Sequence, residues 1–345
     1  MKKFYGVIGN PPYQDTSVGD QKTFQKPIYN DFIDAANKVS DRCVLVHPAR
    51  FLFNAGSTPK SWNRKMLSDE HFKVLQFEPD ASSVFSGVDI KGGIAITLHD
   101  NMRSFEPIRV FTPHKELNSA MQKVCKDETF ESFSNIVVTR TAYRFTDKMH
   151  SEHPEAKEQL SKGHAYDVST NIFERLPQVF HLSVPKDGND YIRILGRRNN
   201  QREYQYIRRD FIKPVVNLNS YKLFLSKAIG SGQFGEMLIA PIIGTPATGS
   251  TETFISIGNF DTEIEAANAK KYIEGKFSRA LLGILKITQD ISPDKWAYVP
   301  LQDFTSNSDI DWSQSIHDID QQLYTKYGLS KEEIEFIETH VKEMS

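Results

Sequence analysis

Apolar positions along the first third of the chain follow two different periods. Short apolar runs predict strands over residues 4–8, 43–46, 73–77, 94–98 and 108–111. Between the first two runs, apolar residues recur with the spacing of a buried helix face and predict a helix over residues 28–39, carried by Ile28, Phe32, Ala35, Ala36 and Val39. Strands that alternate with helices indicate an α/β sheet with helices on its faces.

The pattern becomes more polar after about residue 113. Residues 147–163 carry a charged cluster that predicts a solvated helix or loop. The C-terminal part is predicted to be helical, because residues 262–265 and 330–333 have the Ser/Thr-x-x-Glu sequence of a capping box. Apolar residues behind the two caps predict packed helix faces at Ile273, Phe277, Ala280, Leu281 and Ile284, and at Ile334, Ile337 and Val341.

Composition sets broad limits on the class of protein. A chain of 345 residues with 39% hydrophobic residues is expected to form two domains, each with its own core. No stretch approaches the roughly 20 apolar residues of a membrane span, and the start lacks the apolar region of a signal peptide. The two cysteines, Cys43 and Cys125, fit a reducing cytoplasm, and neither they nor the ten histidines have metal-ligand spacing. We therefore expect a cytoplasmic protein with no metal site.

The strongest local charge lies between residues 193 and 213. Seven basic residues face only two acids there, Glu203 and Asp210, although the net charge of the chain is −2. Arg and Lys neutralise phosphates, and Arg also reads guanine edges with two hydrogen bonds. A solvated basic face is the alternative. The sequence favours a DNA contact made by Arg193, Arg197, Arg198, Arg202, Tyr204, Tyr206, Arg208 and Arg209.

Candidate chemistry comes directly after the first predicted strand, at Asn10, Pro11, Pro12 and Tyr13. We call these four residues the proline loop. Two consecutive prolines fix φ and remove two backbone donors, so the carbonyls of Asn10 and Pro11 project from a stiff segment. A carboxamide beside a rigid carbonyl offers two acceptors for an exocyclic amine, and the Tyr13 ring offers a surface on which a planar base can stack. An ordinary Asn-Pro turn is the alternative.

These residues resemble the catalytic motif of DNA adenine methyltransferases of the Asn-Pro-Pro-Tyr family, from bacterial type II and type IIG restriction–modification systems. Further segments resemble the same group, at residues 27–29, 47–51, 84–93, 251–254 and 309–312. The resemblance implies S-adenosylmethionine (SAM) as methyl donor and double-stranded DNA as partner. It also implies that the enzyme flips an adenine out of the duplex. Asn10 and the Pro11 carbonyl would then hold the amine, Tyr13 would stack on the base, and Asn10 would contact part of the cofactor.

A glycine-rich loop that binds SAM normally precedes this motif in the family, yet only nine residues precede Asn10. The sequence therefore resembles a methyltransferase without its N-terminal SAM-loop half. Residues 230–235, here called the glycine loop, offer a substitute through Gly230 and Gly232 if the chain is circularly permuted. A glycine-rich loop of the recognition domain is the favoured alternative, because Pro241 and Pro246 interrupt any helix after it.

The expected fold is α/β, with a partial doubly wound methyltransferase sheet followed by an α+β target-recognition domain and C-terminal helices. Residues 1–112 would form the catalytic half, 113–260 the recognition domain and 261–345 its helical end.

The expected function is site-specific adenine methylation by a truncated or split enzyme, with a second subunit supplying the SAM-binding half or a nuclease. The alternative is a DNA-recognition subunit or remnant that binds target DNA without SAM. Nuclease activity in this chain is not expected, because the Glu-x-Lys match at residues 274–276 falls on a predicted helix.

Overall fold

The protein divides into two compact units. The computed structural model describes residues 4–15, 26–54, 56–85, 90, 92–105, 107–286 and 288–344. The first unit covers Met1–Lys115 and the second covers Glu116–Ser345. No helix within these described ranges is both long and apolar enough to cross a bilayer. The functional roles that the sequence suggested for residues 1–112, 113–260 and 261–345 stay predictions.

The first unit is a four-stranded sheet with two helices. Its elements are β1 (Phe4–Gly9), α1 (Tyr29–Val39), β2 (Ser40–Pro48), α2 (Lys60–Leu67), β3 (Phe72–Glu78) and β4 (Ile94–Asp100). These strands confirm four of the five runs predicted from the sequence. The fifth run, residues 108–111, is wrong: its described backbone bends, with Arg109 at φ 54°.

The sheet of the first unit is mixed. Its strand order is β1-β2-β4-β3, β1 pairs with β2 in parallel, and β4 runs antiparallel to both of its neighbours. The expected α/β character is thus confirmed. The doubly wound arrangement is not found among the described strands, because β4 breaks the parallel order and both described helices contribute to one core cluster.

The core of the first unit lies between this sheet and the helices. Helix α1 contributes Tyr29 and Ile33 to this core, and α2 contributes Trp62 and Met66. The strand side chains that pack in the same cluster are Cys43, Leu45, Phe72 and Ala95. The helical period was predicted correctly, but its buried face was not. Phe32 is 42% exposed, since α1 turns positions 29 and 33 rather than 28 and 32 toward the sheet.

The second unit combines two small sheets with helices. Its elements are α3 (Lys115–Lys126, which begins at the boundary), β5 (Val137–Val138), α4 (Asp147–Glu152), α5 (Ala156–Gln159), α6 (Ile172–Arg175), β6 (Tyr191–Arg198), β7 (Gln201–Arg208), β8 (Tyr221–Ser226), β9 (Ile242–Gly244), β10 (Thr248–Ser250), β11 (Phe254–Phe260), α7 (Glu263–Glu274), α8 (Lys276–Gly283), α9 (Ile316–Lys326) and α10 (Lys331–His340). The strand orders are β10-β6-β7 and β5-β11-β8-β9.

The C-terminal helices begin where the sequence predicts. The Thr262 hydroxyl accepts a hydrogen bond from the Glu265 N–H at the start of α7, and Ser330 forms a complete capping box with Glu333 at the start of α10. The predicted long apolar face is divided at Gly275, where α7 ends and α8 begins. A Cβ at this glycine would lie 2.6 Å from the Asp320 carboxylate, which caps α8 through the N–H groups of Lys276 and Phe277.

Candidate catalytic loop and nucleic-acid interface

The proline loop lies at the carboxyl end of β1. Gly9 pairs with Leu45 in the parallel β1–β2 ladder, so Asn10 leaves the sheet beside the end of β2. The carboxyl ends of neighbouring parallel strands are where α/β sheets bind their ligands. Asn10 and Pro12 are exposed there, whereas Pro11 and Tyr13 are half-buried. The loop is thus accessible to a substrate at its first residue.

Short-range pairing fixes the loop to the start of α1. The Ile28 N–H donates to the Tyr13 carbonyl (3.1 Å), and the Asp15 N–H donates to the Lys26 carbonyl (3.0 Å). Gln14 and Pro27 form an antiparallel bridge between these bonds. The prolines fix φ within the loop, and the bonds fix its two sides, so Asn10 stands on a backbone with little freedom.

Tyr13 has two different surroundings. Part of its ring packs against the core of the first unit, and its hydroxyl is buried. The hydroxyl is close to the Asn10 carboxamide but outside hydrogen-bonding geometry, and it has no hydrogen-bond partner among the described residues. Burial raises the pKa of Tyr13, and the nearby Asn10 opposes this shift. The ring is therefore held in place by packing rather than by its hydroxyl.

His47, from one of the segments that resemble methyltransferases, is a structural residue at the end of β2. Its ring stacks on Tyr29 with centroids 5.9 Å apart, and its Nε2 lies 2.7 Å from the Thr97 hydroxyl. Its Nδ1 lies 3.2 Å from the Pro48 carbonyl, which can only accept, so Nδ1 carries the proton and Nε2 accepts from Thr97. Burial lowers the pKa of His47 to about 4. The imidazole is thus neutral near pH 7.

Arg50 is a residue that the sequence analysis did not single out. Its aliphatic stem lies against two glycines with positive φ, Gly56 and Gly92, and a Cβ at Gly92 would come within 2.6 Å of it. Ala49, the preceding residue, donates its N–H to the Gly93 carbonyl at the start of β4. This arrangement holds the stem of Arg50, an exposed residue, between the end of β2 and the start of β4. Part of the matching segment 84–93, at residues 86–89 and 91, lies outside the described residues.

The basic region of the second unit forms the β6–β7 hairpin. Eight residue pairs join the strands, from Tyr191 with Arg208 to Arg198 with Gln201. The two residues between the strands, Asn199 and Asn200, have φ of 49° and 62°. Two central residues with positive φ are the signature of a type I′ turn, whose twist matches that of a hairpin. The sequence indicated the charge of this region but not its hairpin.

The hairpin brings three of the predicted arginines together. Arg197, Arg198 and Arg202 are exposed beside the turn, and we call residues 197–202 the hairpin tip. Arg197 lies directly opposite Arg202 in the ladder. No ion pair to either residue is found in the described parts of the chain, and Arg198 lies 4.0 Å from Glu203. The tip is therefore a concentrated positive surface.

The other predicted DNA contacts lie away from the tip. Arg208 pairs with Glu152 and Asp210 and stacks over Phe211, so its side chain is only 17% exposed. Arg209 pairs with Asp190 and lines an open cleft of about 540 Å³. Arg193 is half-buried and donates to the Thr245 hydroxyl (2.7 Å). These three residues have internal partners that stabilise the second unit.

The two predicted tyrosines lie along the same face of the hairpin. Tyr204 and Tyr206 are half-buried, and the Arg193 guanidinium lies 5.2 Å from the centre of the Tyr204 ring. Tyr206 also exchanges backbone hydrogen bonds with His181, which extends the sheet beyond the edge strand β7. Both rings thus support the base of the hairpin.

The glycine loop surrounds a carboxylate of the protein itself. Glu236 accepts hydrogen bonds from the N–H groups of Ser231 (2.7 Å) and Gly232 (2.9 Å), and it pairs with Lys286. Burial alone would raise the pKa of Glu236, but Lys286 and the backbone donors outweigh it and lower the pKa to about 2. The two N–H groups are occupied, so the loop in this arrangement does not fit a cofactor carboxylate. Its glycines have a packing reason, because a Cβ at Gly235 would overlap the His340 carbonyl.

Two basic residues of the C-terminal helices have internal partners. Arg279 is 3% exposed and donates to the carbonyls of Glu274 and Gly275. Lys276 pairs with Glu338 (2.6 Å). No cluster of three or more potential metal ligands is found in the described ranges. The hairpin tip and the proline loop are the two sites that the geometry favours.

Comparison with known proteins gives two similarities to methylases. Residues 1–85 match the family model described as Eco57I restriction-modification methylase. A curated relative, an uncharacterized adenine-specific methylase of Mycoplasma pneumoniae, is 27% identical over 103 residues, which cover 29% of this chain and 24% of that protein. The chain thus spans about a quarter of this relative. The N-terminal part, which contains the proline loop, is therefore similar to restriction-modification methylases.

Two solved structures give weaker similarities. The type IIG restriction endonuclease BpuSI has a TM-score of 0.34 and 10% identity, over 92% of this chain and 49% of that one. The type IIL restriction-modification enzyme MmeI, solved in complex with DNA, has a TM-score of 0.36 and 10% identity, over 97% and 56%. Scores this low support no conclusion about the fold.

Proposed function

We propose that the protein is a site-specific DNA adenine methyltransferase of a restriction–modification system. The observation that carries this proposal is the exposed Asn10 on a rigid loop at the carboxyl end of β1, inside the segment that matches a methylase family. SAM supplies the methyl group when it is bound. The chain's own residues have to bind the DNA, hold the target base and orient its amine.

The proline loop would perform the last two tasks. The Asn10 carboxamide and the Pro11 carbonyl accept hydrogen bonds from the two hydrogens of the adenine amine, which directs the nitrogen lone pair away from the loop. The exposed part of the Tyr13 ring stacks on a base that has left the duplex. A rigid backbone makes this catalysis by positioning and electrostatics, because the acceptors need no rearrangement when the amine arrives.

The hairpin tip would bind the DNA. Arg197, Arg198 and Arg202 are exposed, and arginines neutralise phosphates wherever they reach the backbone of the duplex. Arg193, Arg208 and Arg209 have internal partners and would support the hairpin instead. Residues outside the glycine loop, from this protein or from a second subunit, would bind SAM.

A DNA-recognition protein without catalysis is the second candidate. The position of Glu236 favours this second candidate. Its carboxylate accepts from the N–H groups of the glycine loop that a permuted SAM site would use. In that case the hairpin tip would bind a target sequence and the proline loop would have no methyl donor beside it. The two candidates share the DNA-binding surface and differ only in methyl transfer.

The test is substitution of Asn10 by Ala in the full chain, with Gln14→Ala as the matched control, since Gln14 is an exposed carboxamide just beyond the loop. We expect Asn10→Ala to abolish methyl transfer from labelled SAM to duplex DNA and to keep DNA affinity within about twofold. Gln14→Ala should keep both. Methylation by Asn10→Ala at the wild-type rate would overturn the catalytic assignment. Specific DNA binding by the wild type without methylation, at saturating SAM and with any SAM-binding second subunit added, would select the second candidate.

A further inference from the structure

The hairpin tip presents three consecutive carboxamides as well as three arginines. Asn199 and Asn200 form the turn, and Gln201 is the first residue of β7. All three are exposed. A turn of this type needs positive φ at both central residues, which Asn adopts more readily than most residues and Gly adopts most readily. Turn formation alone could explain Asn199 and Asn200, but it does not explain Gln201.

The three carboxamides have different partners. The Arg197 guanidinium donates to the main-chain carbonyl of Asn200 (3.3 Å) and to its side-chain oxygen (3.4 Å), which ties Asn200 into the turn. The side chains of Asn199 and Gln201 have no hydrogen-bond partner among the described residues. Asn200 is therefore tied into the turn, whereas the carboxamides of Asn199 and Gln201 are accessible to a partner outside the chain.

The arginines lie on both faces of the ribbon. Directly paired residues share a face, so Arg197 and Arg202 lie on one face, while Arg198 and Gln201 lie on the other. A flat polyanionic surface would be met by cations on one face only. A groove with a phosphate chain along each wall matches cations on both faces and polar groups at the tip.

The width of a two-stranded hairpin decides between the major and the minor groove of DNA. The major groove of B-DNA is about 12 Å wide and admits a two-stranded β-ribbon, whereas the minor groove is only about 6 Å wide. With the tip in the major groove, the arginines face the phosphates on either side and the turn faces the base edges. A carboxamide can then accept from the N6 amine of adenine and donate to its N7 with two hydrogen bonds.

We propose that Asn199 and Gln201 read adenine bases in the major groove and thereby set part of the target sequence. The proposal rests on the proposed DNA binding by the hairpin tip. It assigns the two exposed carboxamides to A·T pairs within the recognition site and the neighbouring arginines to phosphates. It also separates the base that is read at the hairpin from the adenine that the proline loop would hold.

The first experiment is selection of binding sites from a random duplex library. Full-length wild type is compared with Asn199→Gly/Gln201→Ala, in which Gly keeps the positive φ of the turn. Asn307→Ala is the matched control, because it removes an exposed carboxamide outside the hairpin. We expect wild type and Asn307→Ala to enrich the same A·T-containing site. The double variant should lose the preference at one or two A·T positions and bind the wild-type site roughly 5- to 100-fold more weakly. Enrichment of an unchanged site by the double variant would overturn the inference while DNA binding by the tip stood.

A second experiment tests the contacted atom by changing the DNA instead of the protein. Adenines in the selected site are replaced one at a time by 7-deazaadenine, which lacks the major-groove acceptor N7. We expect wild-type affinity to fall at one or two positions where the double variant is insensitive. Equal affinity at every position would contradict the inference. Unchanged DNA binding by Arg197→Ala/Arg202→Ala would instead refute the proposed tip interface, and the inference with it.

Discussion

Arg197 lies directly opposite Arg202 across the β6–β7 hairpin, and neither residue forms an ion pair with any residue in the described ranges. Like charges that face each other across two strands destabilise a hairpin. Arg208, on the same ladder, shows the contrasting situation, since two carboxylates surround it. The free charge is thus concentrated at the tip, where a phosphate chain would neutralise it.

Salt dependence tests whether the tip contacts phosphate. Replacing Arg197 and Arg198 by Ala should lower the slope of log affinity against log salt by about two units, because each lost phosphate contact releases about one counterion fewer. Binding of a duplex is measured by fluorescence anisotropy across a salt series. Lys157→Ala/Lys162→Ala, which removes two exposed cations outside the hairpin, is the control and should leave the slope unchanged. Equal slopes for all three proteins would identify the tip as ordinary solvated surface.

A charge reversal at the same place should separate stability from binding. Arg202→Glu replaces a repulsive cross-strand pair by an attractive one, so we expect the free energy of unfolding to rise by roughly 0.2–1 kcal/mol. DNA affinity should fall at the same time, since a cation is replaced by an anion. Denaturant unfolding and anisotropy measure the two quantities. A variant that loses both stability and affinity would show that Arg202 has a structural role that the contacts do not reveal.

Tyr13 should act through its ring and not through its hydroxyl. The buried hydroxyl has no hydrogen-bond partner among the described residues, so Tyr13→Phe should leave stability unchanged or raise it by about 1 kcal/mol. The test places 2-aminopurine at the target position of the DNA and measures the increase in its fluorescence when the protein binds. If the ring stacks on a flipped base, Tyr13→Phe should keep this increase and Tyr13→Ala should lose it. The readout needs no methyl donor. Loss of the signal in Tyr13→Phe would assign the hydroxyl a direct role.

Glu236 should stabilise the glycine loop rather than compete with a cofactor. Glu236→Gln leaves Lys286, whose side chain is only 4% exposed, without its carboxylate, so we expect a loss of roughly 3 kcal/mol in the free energy of unfolding. The purified chain should bind SAM no more tightly than the millimolar range, about 4 kcal/mol, by calorimetry. Micromolar SAM binding that strengthens in Glu236→Gln would instead assign this loop to the cofactor.

Acid should destabilise the first unit through His47. Its pKa is lowered to about 4 in the folded state from an ordinary value near 6.5, so the unfolded chain binds the extra proton between these two values. The contribution of His47 to the free energy of unfolding is therefore fully present above pH 6.5. It is lost as the pH falls toward 4, and the loss amounts to roughly 3 kcal/mol at most. Hydrogen exchange of peptides from β2 measures the loss. His47→Gln should flatten this pH dependence, and identical profiles would remove His47 as its cause.

Local patterns predicted much of the backbone. The strands β1 to β4, the helix α1 and the starts of α7 and α10 follow from apolar period and from caps such as Thr262 and Ser330. These features depend on residues within one or two turns of each other. The position of the proline loop directly after β1 follows from the same short-range information, because a strand that meets Asn-Pro-Pro has to end.

Only the tertiary structure decided which side chains remain available for a partner. Arg197 and Arg208 are both arginines of one basic segment, yet Arg208 is neutralised by Glu152, 56 positions away along the chain. Lys286 reaches Glu236 across 50 positions and so helps to close a loop whose glycines alone suggested a cofactor site. The buried face of α1 and the antiparallel direction of β4 were settled in the same way. Charge and period are local properties of a sequence, whereas partners, burial and strand direction depend on contacts between distant segments.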